Sequence, residues 1–194
     1  MDRLMPRTVN VVVPLLPWGG MGLGQQCTSV ETVLRSFCFA VSKNKWIRLV
    51  PLIGAAECQK FLDAGLRGVD PCIVDSTCSL ADALQKALAG RDSGELVHIV
   101  TEPLVVMPDF YPGITLRMVY EGETTVGCSV LDLRNNDVVL RTSDNPVPSQ
   151  LITRLWIVRE FGLDKANGVE TWAESIVTAY GSWWLDSTLG VLID

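Results

Sequence analysis

The triplet Thr101-Glu102-Pro103 interrupts an apolar stretch, with ELVHIV before it and LVVM after it. Proline cannot donate to a central β-ladder, and a hydroxyl beside a carboxyl needs partners if buried. Such a break marks a strand end at a working surface. The glycine-rich PWGGMGLGQQ, residues 17–26, offers backbone N–H groups that could face a phosphate. It has neither the Lys-Ser/Thr of a P-loop nor a full G-x-G-x-x-G, so it reads as a connection. His98 is the single histidine and sits between apolar neighbours. It reads as a core histidine rather than a catalyst.

Composition narrows the function classes. The 194 residues are 48% apolar and 20% charged, which describes a globular chain with one sizeable core. A formal net charge of -6 and the lack of any Lys/Arg run argue against nonspecific binding to a phosphate backbone. The six cysteines, Cys27, Cys38, Cys58, Cys72, Cys78 and Cys128, form no C-x-x-C pair. With one histidine they do not compose a zinc site or a disulfide framework, and they read as reduced thiols packing as small apolar residues. The apolar stretch Val11 to Leu16 is too short for a signal peptide, and nothing approaches the ~20 apolar residues of a membrane helix. The expectation is a cytoplasmic protein with no membrane segment.

The elements that position these residues follow from periodicity. TVNVVVPLL, WIRLVPLI, PCIVDS and ELVHIV read as strands. SVETVLRSFCFAV and AECQKFLDAGL read as helices. SLADALQKALAG reads as the clearest helix, with Ser79 three residues before Asp82 as a capping-box-like start and Gly90 as its stop. TVGCSVLDLRNNDVVLRTS predicts two strands about Asn135-Asn136, and TSDNPVPSQ a flexible loop. PSQLITRLWIVREFG and VETWAESIVTAYG predict two helices, and WWLDSTLGVLI a returning strand. Strands alternating with helices predict an α/β fold with a mainly parallel sheet flanked by helices, whose ligands lie beyond the carboxyl ends of the strands.

Four stretches, VNVVVPLL, SLADALQKALAGRDSGELVHIV, LVVMPDF and ITRLWIVREFGLDKANGVETWAESIVTAYG, in this order resemble the nucleotide-sugar glycosyltransferases of the GT-A fold, particularly the large inverting family. The resemblance implies one GT-A-like (Rossmann-like) domain over residues 1–194 and a UDP- or GDP-linked sugar as partner, with an unknown acceptor. It implies a nucleotide-sugar site at Pro14, Asp75, Thr101, Glu102 and Arg154. Glu170 matches the catalytic base, Arg154 and Arg159 are candidate cations for a leaving diphosphate, and Trp172 is a candidate for stacking on a sugar. Tryptophan is more often core, and a glutamate in a first helical turn is also what the helix dipole favours.

The departures are specific. Thr101 and Pro103 stand where the family has the two aspartates of its Asp-x-Asp motif. Magnesium and manganese prefer hard oxygen ligands, and proline has none on its side chain. The expectation is therefore no metal site, with Mg²⁺ or Mn²⁺ reachable only through Glu102 if the frame slips by one residue. Two readings stay open: transfer of a sugar with atypical or no metal dependence, and a non-catalytic binding or structural module of the same fold. A nucleotidyltransferase of related topology would face the same lack of metal carboxylates.

Overall fold

The structure, a computed structural model, describes residues 8–16, 23, 30–63, 68–75, 77–144, 147–161 and 169–194, apart from the side chains of residues 57, 60–62 and 169–171. The strands are β1 (Val9–Pro14), β2 (Ile47–Ile53), β3 (Cys72–Ile73), β4 (Leu96–Ile99), β5 (Leu104–Val106), β6 (Thr125–Asp132), β7 (Val139–Arg141), β8 (Leu151–Arg154) and β9 (Trp183–Leu192). The helices are α1 (Val30–Lys43), α2 (Ala55–Asp63), α3 (Leu80–Ala87), α4 (Phe110–Tyr120), α5 (Leu155–Glu160) and α6 (Val169–Tyr180). One sheet runs β3-β2-β1-β4-β8-β6-β9-β5, with β7 paired to β6. The expected α/β architecture is found, and the four strands read first from the sequence are parallel neighbours. Beyond β4 the sheet is mixed: β8 is antiparallel to β4 and β6, and β9 is parallel to β6.

Strand alternation divides the core. Val9, Val11 and Val13 of β1 face Val33, Phe37 and Ala40 of α1 and Phe110 and Ile114 of α4. Val12 faces the other way, with Val50 and Leu52 of β2, Leu80, Ala83 and Leu84 of α3, and Trp172 and Ile176 of α6. The capping-box-like start of α3 is present: the Ser79 hydroxyl accepts from the Asp82 N–H. Gly90 has φ +70 beyond its end, a conformation that suits glycine. Gly127 is needed for a different reason, since a Cβ there would lie 2.9 Å from the Trp184 ring.

One reading of the sequence is corrected, and one helix lies in a segment to which the sequence assigns no element. Residues 148–160 are not one helix but a 3-10 turn (Pro148–Gln150), β8 and then α5. Leu151, Ile152, Leu155 and Trp156 have helix-like spacing. Inserted between β4 and β6, however, the segment is buried on both faces, and its β-branched Ile152-Thr153 suits a strand. Helix α4 carries Pro112 and Gly113 near its start, which resemble a turn in sequence. Proline costs little in a first turn, where its missing N–H has no partner to lose. Among the described residues no helix is long and apolar enough to cross a membrane. Cys128 is buried, and Cys38, Cys58, Cys72 and Cys78 are half-buried reduced cysteines. Cys27 lies outside the described residues.

His98 is fully buried between Phe37, Phe110 and Tyr111, and it stacks on Phe110 at 5.3 Å. Its Nε2 lies 2.6 Å from the Ser149 carbonyl and its Nδ1 2.9 Å from the Tyr111 hydroxyl. A carbonyl only accepts, so Nε2 carries the proton and Tyr111 donates to Nδ1. Burial pushes the imidazole pKa down to about 4, against the hydrogen bond to Ser149, which works upward. The unfolded chain therefore takes up a proton near pH 6.5 that the folded chain refuses until about pH 4. This contribution is complete above 6.5 and is lost as pH falls toward 4, amounting to roughly 3 kcal/mol. Urea unfolding across that window should show the slope in the wild type and a much flatter one in His98→Gln. Equal slopes would refute this assignment.

Candidate functional site

Pro14 ends β1, Asp75 lies just beyond β3, and Thr101 and Glu102 lie just beyond β4. Val12 is level with Ile99, so Pro14 is level with Thr101. These four residues thus follow the carboxyl ends of parallel strands, where open α/β sheets bind ligands. Three strand intervals separate β3 from β4, about 14 Å at the usual spacing. That span suits an extended ligand better than a single ion.

Asp75 is exposed, and one carboxylate oxygen accepts from the Thr77 N–H and hydroxyl, both at 2.8 Å. These bonds hold its carboxyl below the usual carboxylate range, so it presents a fixed negative charge at the sheet end. Glu102 is turned inward instead and is 9% exposed. Its Oε2 accepts from the Thr101 hydroxyl (3.0 Å), from the Ser149 N–H (3.0 Å) and from the Ser149 hydroxyl. The backbone N–H groups of Thr101 and Glu102 both reach Ser149 Oγ at 2.9 Å. Burial pushes the Glu102 pKa up, while the bonds from Ser149 and Thr101 and the charge of Arg134 pull it down. The polar triplet is therefore a sealed corner between β4 and β5, closed by Ser149.

This geometry bears on the metal expectation. The Glu102 carboxylate oxygen that faces the protein is already taken by three donors, and Pro103 supplies none. Among the described residues no three His, Cys, Asp or Glu side chains converge as a metal site would require. The residues at the triplet do not fit a divalent ion held through Glu102.

The remaining candidates separate. Arg154 is level with Leu96, the first residue of β4, so it stands at the opposite end of the strands from Glu102. Its Nη2 donates to the carbonyls of Met118 and Glu123 at 3.0 and 3.2 Å, which caps the end of α4. Arg159 donates to the carbonyls of Leu88 and Arg91 and similarly closes the end of α3. Both arginines cap helices away from the carboxyl ends, which corrects their placement at a diphosphate. Trp172 is 4% exposed in the core, and its Nε1 has no partner among the described residues. The ring packs beside Val97, Ile99 and Ile176, so it is not displayed for a sugar to stack upon. The backbone of Glu170 lies in the first turn of α6, and its side chain lies outside the described residues. Glu174 is exposed on the rim of a 240 Å³ groove between α6 and the 3-10 turn. The glycine-rich 17–26, except Leu23, also lies outside the described residues.

The sequence reading missed Ser149, the residue that organises the triplet. It sits in PVPSQ, where prolines announce a loop and nothing announces a buried hub. It also missed a charged cluster beside Glu102. Asp132, 4% exposed, accepts from Arg134 at 2.9 and 2.8 Å and from Arg141 at 2.9 Å. The Arg134 hydrogen bond leads in holding its carboxyl down at about 2. Asp132 and Arg134 are two apart at a turn, the one signal that could have exposed the pair.

No family model matches the sequence, and no curated protein matches it by sequence. Solved structures do match by fold. Staphylococcus aureus TarS 1-349 in complex with UDP-GlcNAc superposes with a TM-score of 0.63 at 10% identity, over 96% of this chain and 58% of that one. Glucosyl-3-phosphoglycerate synthase from Mycobacterium tuberculosis, in complex with Mg2+ and uridine-diphosphate, gives 0.58 at 15% identity, over 97% and 72%. The 2-C-methyl-D-erythritol 4-phosphate cytidylyltransferase of Francisella tularensis gives 0.57 at 13% identity, over 96% and 94%. The chain thus spans less than two thirds of TarS 1-349 and nearly all of the cytidylyltransferase. The fold is GT-A-like, shared with glycosyltransferases and nucleotidyltransferases.

A substitution distinguishes a structural Glu102 from a ligand. Glu102→Gln keeps an acceptor oxygen for Ser149 and Thr101 and removes the buried charge. A folded pKa raised above the unfolded one means that stability falls as pH rises through that interval, a slope Glu102→Gln lacks. At pH 7 Glu102→Gln should match or exceed the wild type in urea unfolding. Glu102→Ala, which leaves Ser149 unpaired, should lose about 1–3 kcal/mol. Equal losses in both would show that the charge itself is required.

Proposed function

We propose that residues 1–194 form one GT-A-like domain that binds a UDP- or GDP-linked sugar and transfers the sugar to an acceptor hydroxyl, without the paired metal-binding aspartates. The observation that supports this most is the parallel β3-β2-β1-β4 array, with Pro14, Asp75 and Thr101 following its carboxyl ends, in a fold shared with a protein in complex with UDP-GlcNAc. Thr101 and Pro14 line the strand ends nearest the sheet centre, and Asp75 supplies an exposed carboxylate there.

In this reading Glu170 is the base. The acceptor oxygen attacks the anomeric carbon while its proton passes to the Glu170 carboxylate. The bond from that carbon to the diphosphate oxygen breaks, and its electron pair leaves with the nucleoside diphosphate. Arg154 and Arg159 take no part, since both cap helices elsewhere. Trp172 acts only through packing.

A second reading is favoured by Glu102. Its carboxylate is turned into the protein and occupied, which suits a binding module that keeps the fold without the chemistry. Thermal unfolding with UDP- and GDP-sugars separates binding from its absence: a ligand at 100 times its dissociation constant stabilises by ~2.7 kcal/mol. Turnover of the same donors then tests catalysis. Glu170→Gln should lower transfer by ~10²–10⁴-fold and leave the ligand-induced shift intact. A shift without transfer supports the module. Neither shift nor transfer with any such donor removes both readings.

A further inference from the structure

We propose that the outer edge of β7 is a homodimer interface, in which two copies pair antiparallel about a two-fold axis through Val139. Edge strands are normally blunted by charge, proline or cover, because their unpaired N–H and C=O groups invite another strand. β7 pairs with β6 on one side, and no strand among the described residues meets its other side. Val139 and Leu140 of the strand and Val138 just before it are apolar and exposed, at 38%, 51% and 74%, with Leu133 of the same hairpin at 38%, and Arg141 ends the strand. Asp137 is already extended, at φ -101 and ψ 161, so the strand conformation continues outward from Val139 in both directions.

The sequence of the edge indicates a second copy of itself. With the axis at Val139, Val138 of one copy faces Leu140 of the other, and the two Val139 residues face each other. Asp137 then faces Arg141 of the other copy. Both polar pairs are oppositely charged, two of the three apolar pairs are Val–Leu and the third, on the axis, is Val–Val, the kinds of cross-strand pair that stabilise a sheet. Moving the axis by one residue sets Val139 against Arg141 or Asp137 and loses both ion pairs. Parallel pairing in register sets Asp137 against Asp137. Arg141 already donates to Asp132, but a guanidinium has five N–H donors and this side chain is 30% exposed. An isologous two-fold pairing closes on itself and consumes both edges, which ends at a dimer rather than a fibre.

Sedimentation across a concentration series should show a reversible monomer–dimer equilibrium. Val139→Lys places two like charges on the axis and should raise the dissociation constant at least tenfold, ~1.4 kcal/mol. Its fold is checked by circular dichroism. Val139→Cys provides an independent measurement. Directly opposed residues of an antiparallel pair lie ~4.5–5.5 Å apart at Cα, within disulfide range. Oxidised glutathione should therefore link this variant into covalent dimers, well beyond the wild type and beyond Tyr120→Cys, an exposed position on α4 (62%). A chain that stays monomeric throughout, a Val139→Lys variant that dimerises like the wild type, open assemblies larger than a dimer, or a Val139→Cys variant linked no faster than Tyr120→Cys would each overturn the proposal.

Discussion

Ser149 satisfies five hydrogen bonds at the junction of the two halves of the sheet. Its hydroxyl donates to Glu102 and accepts from the N–H groups of Thr101 and Glu102. Its own N–H donates to Glu102, and its carbonyl accepts from His98. Every one of these groups is buried, where an unpaired polar atom costs far more than a formed bond returns. The parallel half ends at β4 and the mixed half begins at β8, so one residue ties the end of β4 to the turn that launches β8. The direction of Glu102, the tautomer of His98 and the bend at Glu102 all depend on it. Gln150 continues the arrangement, donating to the carbonyls of Cys128 and Arg141 and bridging the gap along β6 between β8 and β7.

The parts of this fold that depend on local sequence were legible. Alternating valines gave β1 two faces, and Ser79 with Gly90 bounded α3. The glycine and proline breaks placed the parallel strands, and Asn135-Asn136, with φ near 60°, formed the turn of the β6–β7 hairpin. What was not legible depends on distant partners. The spacing of Leu151 to Trp156 fits a helix until β4 and β6 are seen on either side. Arg154 looked like a cation near a site because sequence cannot say which end of a strand it occupies, and the antiparallel register put it at the wrong end. Trp172 shows the same limit, since an aromatic beside a glutamate fits a sugar platform and a core wedge equally well in sequence.

The candidate site was half legible. The break at Thr101-Glu102-Pro103 does mark the carboxyl end of a central strand beside Pro14. Its polar groups, however, look inward to a loop whose sequence suggests only flexibility. A buried carboxylate held by hydroxyl and amide donors satisfies its hydrogen bonds as well as one beside a metal, so composition alone could not decide between them.

The order of strands also governs how the chain folds. Among the described residues β5 pairs with no strand but β9, although β9 begins more than seventy residues later in the sequence. Between them the chain must complete β6, its hairpin and β8. The pairing that closes this side of the sheet therefore has high contact order and is expected to form slowly. During synthesis the Leu104–Val106 edge stays unpaired until the residues after Gly181 have emerged, a long interval in which its early shelter comes from α1, which packs over β5 and whose Ser36 Oγ accepts from the Val106 N–H.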